Sequence, residues 1–166
     1  MAMNTMPIKV LFVCMGNICR SPTAHGVFQH LVNEAGLSEQ ISVDSAGTIG
    51  YHVGESPDPR SSQTAMSHGI DLSSQRARQV NMQDYENQDY ILAMDFDNLR
   101  NLQQQCPEGQ QHKLKLLLEF HPDQFLDQVP DPYYGGESGF DRVYEMVDIA
   151  CKALLAHIKE HHELGK

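Results

Sequence analysis

The sequence of 166 residues contains no tryptophan, few basic side chains and no long hydrophobic run. Lysine and arginine together number 12, against 22 aspartate and glutamate residues, which gives a formal net charge of -10. A chain this acidic repels nucleic acid and anionic lipid, so neither is an expected partner. No segment approaches the ~20 apolar residues of a membrane span. An anionic ligand would therefore need a local positive site on an acidic protein.

Motifs of nucleotide and metal sites are also missing. The chain has no GxGxxG, no GK[ST] and no HExxH. It has four cysteines, of which only Cys14 and Cys19 are close together, and no second pair or nearby histidine completes a metal set. Three histidines near the C-terminus suit a solvated helix end better than a metal site; they are His157, His161 and His162. We expect no metal and no cofactor.

The N-terminus gives an expectation about the compartment. Met1–Pro7 lacks the charged start and apolar stretch of a secretory signal. With only four cysteines and no such signal, we expect a cytoplasmic protein with reduced thiols. Length and composition favour a single domain over residues 1–166, and a monomer is the default expectation.

Apolar segments alternate between the patterns of strands and helices. Ile8–Cys14 (IKVLFVC) is nearly all apolar, as in a strand buried on both faces. Further strands are predicted at Ile41–Ala46, Asp89–Met94 and Lys113–Leu118. Such alternation predicts an α/β fold with a parallel sheet covered on both faces. In these sheets ligands bind beyond the carboxyl ends of the strands, which is where the segment from Cys14 to Ser21 lies.

Helices are predicted from helical spacing and from capping residues. Ser21 is a good N-cap for the first helix, Pro22 suits its first position, and Gly36 can end it. A second helix is predicted at Ser61–His68, and Asp95 can cap a third that carries Phe96, Leu99 and Leu102. The last helix buries one apolar face, consisting of Phe140, Val143, Val147, Ala150, Leu154 and Ile158.

The loop VCMGNICRSP, at positions 13–22, has the features of an anion site with a nucleophile at its base. A loop between a buried strand and a helix N-terminus directs unpaired N–H groups inward. Gly16 and Asn17 tolerate unusual backbone conformations, and the planar guanidinium of Arg20 matches two phosphate oxygens. This positive field favours the thiolate of Cys14. A thiolate beneath a bound phosphate predicts attack on phosphorus and a phosphocysteine intermediate.

Taken alone, Cys14 could be an ordinary buried cysteine at the end of a strand. The combination of Arg20, Ser21 and Pro22 directly after the strand favours the anion site over that interpretation. Ser21 can donate a hydrogen bond to the sulfur, which stabilises it both as a thiolate and as a leaving group.

Four segments together resemble the low-molecular-weight protein tyrosine phosphatases, over nearly the whole chain. They are CMGNICRS at 14–21, DSAGTIGY at Asp44–Tyr51, the pair Met94–Asp95, and DPYYGG at Asp131–Gly136. The resemblance implies a flavodoxin-like three-layer sandwich with a four-stranded parallel sheet. It also implies metal-free hydrolysis of phosphomonoesters through phosphocysteine.

The resemblance assigns roles by motif. Cys14 is the nucleophile, Arg20 binds phosphate, and Asp131 is the general acid and then the general base for water. The phosphate-binding loop comprises Met15, Gly16, Asn17, Ile18, Cys19, Arg20 and Ser21. Asn17, Ser21 and Ser45 are implied to support the loop. Met15, Tyr51, Tyr133 and Tyr134 are implied to wall the pocket for an aromatic ring. From the residues alone, Pro130 and Pro132 restrict the backbone around Asp131, although Asp-Pro turns are common.

Two further positions carry expectations. In the family the position of Cys19 can form a disulfide with the nucleophile, so we expect a redox-sensitive Cys14 with Cys19 as its partner. The family often has a histidine where this chain has Gln75, so support of the loop is expected to differ in detail. His68 is expected to be structural.

Several functions of related proteins fit this sequence less well. Arsenate reductases of this fold add a later redox cysteine pair, which is absent here. Protein arginine phosphatases typically carry threonine at the position of Ile18, whose apolar side chain cannot hydrogen-bond a guanidinium group. A phosphoryl carrier or a phosphate-binding module remains as another class. The sequence favours hydrolysis of phosphotyrosine in proteins, and of small aryl phosphates, with inorganic phosphate as product.

Overall fold

The fold is built on a four-stranded parallel sheet, in the order β2-β1-β3-β4. The computed structural model describes residues 6–132, 136 and 138–165. The strands are β1 (Ile8–Cys14), β2 (Ile41–Gly47), β3 (Tyr90–Ala93) and β4 (Leu114–Leu116). The helices are α1 (Arg20–Glu34), α2 (Pro59–Ser67), α3 (Met82–Asn87), α4 (Phe96–Gln105) and α5 (Gly139–His161). The predicted flavodoxin-like α/β class is confirmed.

Strand β1 lies at the centre of the sheet because its side chains are apolar on both faces. Val10, Phe12 and Cys14 belong to the larger core, with residues of α1, α2 and α5. Leu11 and Val13 point to the opposite face, where α3 and α4 pack. Alternate strand residues face opposite sides of a sheet, so an uninterrupted apolar run is needed when helices cover both. This run carries Cys14 to the carboxyl edge of the sheet.

Helix α1 begins two residues earlier than a cap at Ser21 would require, at Arg20 and not at Pro22. Ser21 is inside the helix, Cys19 occupies the N-cap position, and no side chain caps this end. The prediction that Ser21 is the N-cap was therefore wrong, because its hydroxyl group bonds within the loop instead. The predicted end is confirmed: Gly36 has φ of +73° and its N–H donates to the carbonyl of Asn33 at 3.1 Å.

Other boundaries differ by a few residues. Strand β4 is only three residues long, and Leu117–Phe120 form a short 3-10 helix in place of its predicted continuation. A second 3-10 helix, Glu108–Lys113, precedes β4. Helix α2 begins at Pro59, because the Asp58 carboxylate accepts from two N–H groups of its first turn. Among the described residues, no helix is both long enough and apolar enough to span a membrane.

Candidate active site

The loop Met15–Cys19 connects β1 to α1 with its carbonyl groups turned away from the loop centre. Thr48 N–H donates to the Cys14 carbonyl at 2.9 Å, and Asp58 N–H donates to the Ile18 carbonyl at 2.7 Å. The backbone N–H groups at Met15, Gly16, Ile18 and Cys19 have no acceptor among the residues that the structure describes. Such a set of N–H groups beside a helix N-terminus is suited to bind the oxygens of an anion.

Asn17 holds this loop in shape. Its φ is +58°, the left-handed region that asparagine tolerates better than most residues. Its Nδ2 donates to Ser21 Oγ at 2.8 Å and to Ser45 Oγ at 3.0 Å, and its Oδ1 accepts from Arg78 N–H at 3.0 Å. One side chain therefore connects the loop to α1, to β2 and to the segment before α3. The structure brings the predicted supports Asn17, Ser21 and Ser45 together.

Cys14 lies at the base of the loop and is 3% exposed. Its sulfur accepts from Asn17 N–H at 3.3 Å and is 3.0 Å from Ser21 Oγ. The Ser21 hydroxyl also accepts from Asn17 Nδ2 at 2.8 Å and lies 3.5 Å from the Ala46 carbonyl. A thiolate at Cys14 can only accept, so the Asn17 N–H and the Ser21 hydroxyl would both donate to it, and such donors stabilise a thiolate.

Arg20 is buried beside the loop and is held by an acidic partner. Its Nη1 is 2.6 Å from Asp95 Oδ2 and 3.1 Å from the carbonyl of Val129. Burial by itself lowers the pKa of Arg20, but the nearby charges of Cys14, Asp95 and Asp131 outweigh it and raise that pKa. The guanidinium therefore stays charged at the site and has a fixed direction.

Asp95 has two functions, of which the sequence predicted one. Its Oδ1 accepts from Asn98 N–H at 2.7 Å and caps α4 as expected, while Oδ2 pairs with Arg20. The pairing could not be read from local pattern, because 75 residues separate the two side chains. The sequence signal was the Met94–Asp95 pair within the family resemblance.

A cavity of about 180 Å³ opens above the loop. Its lining consists of Cys14, Met15, Gly16, Ile18, Cys19, Arg20, Ile49, His52 and Asp131. Asp131 arrives from the far end of the sequence because Val129 anchors that segment: its N–H donates to the Met94 carbonyl at 2.8 Å and its carbonyl accepts from Arg20. The three predicted catalytic residues thus line one cavity.

The walls of the cavity differ in part from the predicted set. Met15 lines it as expected, but Tyr51 is 81% exposed, and Ile49 and His52 line the cavity at this side instead. The ring of Tyr51 packs edge-on against His52, with 4.8 Å between the ring centroids. Tyr133 and Tyr134 lie outside the described residues. Sequence reasoning missed Ile49 and His52, although Ile49 lies within the quoted DSAGTIGY segment and His52 directly follows it.

Cys19 has surroundings unlike those of Cys14. Burial, and secondarily the carboxylate of Asp58, raises the pKa of its thiol to about 12. Both cysteines are free thiols here. Cys19 is therefore a neutral thiol at physiological pH, and its predicted pairing with Cys14 remains a prediction.

Gln75 takes part in support of the loop. Ser45 Oγ donates to its Oε1 at 3.4 Å, and its Nε2 donates to the Pro22 carbonyl at 3.0 Å. The Nδ1 atom of His25 is 3.2 Å from the same Ser45 hydroxyl, and burial lowers the pKa of His25. Ser45, which supports the loop through Asn17, is therefore itself held by the side chains of Gln75 and His25. His68 instead stacks on Tyr144, with 4.0 Å between ring centroids, as expected of a structural residue.

The C-terminal histidines lie at the end of α5. The rings of His157 and His161 stack at 5.6 Å, and His162 Nε2 is 2.9 Å from the hydroxyl of Tyr90. Within the described part of the chain, no group of three or more histidine, cysteine or carboxylate side chains is arranged to hold a metal ion.

Comparisons with known proteins agree with this geometry. Residues 9–164 match the family model of the low molecular weight phosphotyrosine protein phosphatases. The human low molecular weight phosphotyrosine protein phosphatase is 44% identical over 149 residues, which cover 89% of this chain and 93% of that protein. A crystal structure of a protein tyrosine phosphatase from Entamoeba histolytica is 41% identical, has a TM-score of 0.89, and covers 93% of this chain and 99% of its own.

A second similar structure is named for a different substrate. The crystal structure of an arginine phosphatase from Drosophila is 34% identical to this chain, with a TM-score of 0.82. The alignment covers 92% of this chain and 98% of that one. Overall fold therefore does not separate aryl from guanidino substrates, and the residues that line the cavity must be considered.

Proposed function

Because the chain belongs to the low molecular weight phosphotyrosine protein phosphatase family, we propose that Cys14, Arg20 and Asp131 hydrolyse phosphotyrosine in proteins through a phosphocysteine. The observation that supports these roles most strongly is the position of the Cys14 sulfur. It accepts the Asn17 N–H at the base of a loop whose other N–H groups have no acceptor among the described residues, and Arg20 and Asp131 line the same cavity. Small aryl phosphates are substrates by the same chemistry.

The first step transfers the phosphoryl group to the enzyme. The phosphate oxygens bind the loop N–H groups and the guanidinium of Arg20. The Cys14 thiolate attacks phosphorus, so an S–P bond forms while the P–O bond to the phenol breaks. Asp131, protonated at this stage, gives its proton to the departing phenolic oxygen. The loop stabilises the charge on the equatorial oxygens, which is the main catalytic contribution in phosphoryl transfer.

The second step releases phosphate. The Asp131 carboxylate accepts a proton from water, whose oxygen attacks phosphorus as the S–P bond breaks. Cys14 leaves as a thiolate, which the N–H of Asn17 and the hydroxyl of Ser21 stabilise by hydrogen bonds. Inorganic phosphate then leaves, and Asp131 has regained the proton that the next cycle requires.

The cavity walls favour an aryl leaving group over phosphoarginine. Ile18, Met15 and Ile49 line the cavity with apolar atoms, which suit the face of a phenol ring. Ile18 offers no hydrogen-bond acceptor for the N–H groups of an arginine side chain. From the family resemblance we also propose that Tyr51, Tyr133 and Tyr134 contact the aromatic ring of the substrate.

The test compares phosphate release from matched phosphotyrosine and phosphoarginine peptides, in EDTA, with Cys14→Ser as the blank. We expect phosphate release from the phosphotyrosine peptide with wild type and none with the blank, because the serine hydroxyl is a much weaker nucleophile than the cysteine thiolate. Phosphate release mainly from the phosphoarginine peptide would contradict the proposal that the cavity walls favour an aryl leaving group. Release from neither peptide would support a phosphoryl carrier or a phosphate-binding module.

Three further expectations belong to the proposal. The protein acts as a monomer in the cytoplasm, where its four thiols stay reduced. It has no nucleic-acid or membrane partner, in keeping with a net charge of -10. Peroxide inactivates it reversibly through a Cys14–Cys19 disulfide. Mass spectrometry of the oxidised protein tests the last point, since Cys14 sulfonic acid without that bond would contradict it.

A further inference from the structure

The wall of the active-site cavity contains a histidine to which the proposed mechanism gives no role. His52 lies in the turn after β2, and neighbouring groups fix its imidazole ring on three sides. Its Nδ1 is 2.8 Å from Glu55 Oε2, and Tyr51 packs edge-on against the ring. A Cβ atom on Gly16 would lie 2.9 Å from His52 Cδ2, so the ring also abuts the backbone of the phosphate-binding loop.

The contact of Nδ1 with Glu55 leaves Nε2 as the ring nitrogen that is available to a ligand. A carboxylate only accepts, so Nδ1 carries a hydrogen in this arrangement. Nε2 has no partner among the described residues, and it is 3.7 Å from the position that a Cβ atom on Gly16 would take. Nε2 is therefore an acceptor in the neutral ring and a donor in the imidazolium. The ring can add a positive charge beside the loop by taking one proton.

The charges around this ring are such that an added positive charge would favour the binding of a phosphoryl group. Cys14 acts as a thiolate and is then negative, whereas the positive charge of Arg20 is partly neutralised by Asp95. A phosphoryl dianion that enters this cavity therefore meets an anion as well as donors. The side chain of Glu55 is 57% exposed on the outer side, where it can favour the imidazolium without lining the cavity itself.

We propose that His52 is a substrate-binding residue, which Glu55 orients and which, as an imidazolium, strengthens binding of the phosphoryl group. The inference rests on the proposed function and deepens it. Binding of phosphate is then coupled to uptake of a proton, and affinity rises as the imidazole becomes charged. Imidazole side chains in general change charge between about pH 5 and pH 8, so binding measured at both ends of that range separates a contribution of positive charge from a neutral one.

The experiment measures the binding of inorganic phosphate by isothermal titration calorimetry, at about pH 5.5 and about pH 8. The proteins are the wild type, His52→Gln and His30→Gln. His30 is a matched control, because its Nε2 pairs with Glu34 at 2.9 Å and it does not line the cavity. The ionisation of phosphate itself is the same for all three proteins and cancels in their ratios.

We expect His52→Gln to bind phosphate about tenfold more weakly than wild type at the lower pH, and within about twofold of it at the higher pH. His30→Gln should match wild type at both. Equal affinities of His52→Gln and wild type at both pH values would overturn the proposal. A loss of the same size at both pH values would also overturn it, because a steric or neutral role does not depend on protonation.

Glu55→Gln keeps the test decisive if His52→Gln does not fold, which circular dichroism would reveal. Glutamine retains an acceptor for Nδ1 but removes the negative charge, so we expect an intermediate loss of about threefold at the lower pH. Wild-type affinity in this variant at both pH values would count against the proposal. Calorimetry needs no turnover, so absence of phosphotyrosine hydrolysis would refute the proposed function and leave this measurement valid.

Discussion

The two ends of the phosphate-binding loop carry the same side chain in opposite surroundings. The sulfur of Cys14 receives hydrogen bonds from Asn17 and Ser21, and Arg20 contributes a positive charge. Cys19, five positions later, is buried and faces the carboxylate of Asp58, which together raise the pKa of its thiol to about 12. The comparison shows that donors and charge around a sulfur, and not its position in a motif, determine whether it can act as a nucleophile.

The largest expected effect separates the two thiols by mutation. Cys14→Ser should reduce turnover of an aryl phosphate by roughly 10⁴-fold or more, because the nucleophile is lost. Inorganic phosphate should still bind, because the phosphate-binding loop is unchanged. The turnover of Cys19→Ser should stay within about threefold of that of wild type. Steady-state kinetics and phosphate titration measure both. A comparable loss of turnover in the two variants would contradict the proposal that Cys14 is the nucleophile and Cys19 is not.

The next effect concerns the carboxylates near each end. Asp131→Asn should slow aryl phosphates with poor leaving groups by about 10²–10⁴-fold and those with good leaving groups much less, because only the former need a proton in the transition state. The measurement is a plot of log kcat/KM against the pKa of the leaving phenol, because kcat/KM reports the steps up to phosphoryl transfer and does not include hydrolysis of the phosphocysteine. Asp58→Asn is the matched control, since asparagine also caps a helix and Asp58 does not line the cavity. An equal slowing on all phenols would contradict the acid role of Asp131.

The smallest expected effect is on stability at alkaline pH. The pKa of Cys19 is raised from its ordinary value of 9.0 to about 12, so the unfolded chain loses this proton at a lower pH than the native protein does. The contribution of Cys19 is therefore fully present below about pH 9 and is lost as pH rises toward 12. The loss is at most about 1.4 kcal/mol per pH unit.

Urea denaturation of wild type and Cys19→Ala at about pH 8 and about pH 10 tests this point. The free energy of unfolding of wild type should fall more steeply, with the difference between the two proteins changing by about 1 kcal/mol. Burial also raises the pKa of Tyr85 and of Cys151, but both groups are common to the two proteins. If the free energy of unfolding had the same pH dependence in wild type and in Cys19→Ala, the thiol of Cys19 would not have the raised pKa that its burial implies.

Patterns that depend on neighbours in sequence were predicted well. The apolar run of β1, the cap at Asp95 and the end of α1 at Gly36 follow from local rules of burial, capping and backbone conformation. Ser21 was misassigned by the same rules, because a serine before a helix resembles an N-cap wherever its hydroxyl group points. Its partner is the sulfur of Cys14, across the loop.

Contacts between distant segments were accessible only through the family resemblance or not at all. The pairing of Arg20 with Asp95 and the arrival of Asp131 at the cavity depend on which strands are neighbours in the sheet. His52 was missed because a lone histidine in a turn has no local signature. Its role emerges from contacts with Glu55, Tyr51 and Gly16.

The sequence by itself determined the fold class, and it was sufficient to propose an anion-binding loop with Cys14 as the nucleophile. Each of these depends on residue types at short spacing: an apolar strand, a loop with Gly16 and Asn17, and Cys14 at its base. The tertiary structure alone decided that the thiol of Cys19 stays neutral, that Asp95 holds Arg20 and that His52 forms part of the wall. The physical reason is that charge, burial and hydrogen-bond direction at a site are set by groups that the sheet and its helices bring together from distant parts of the chain.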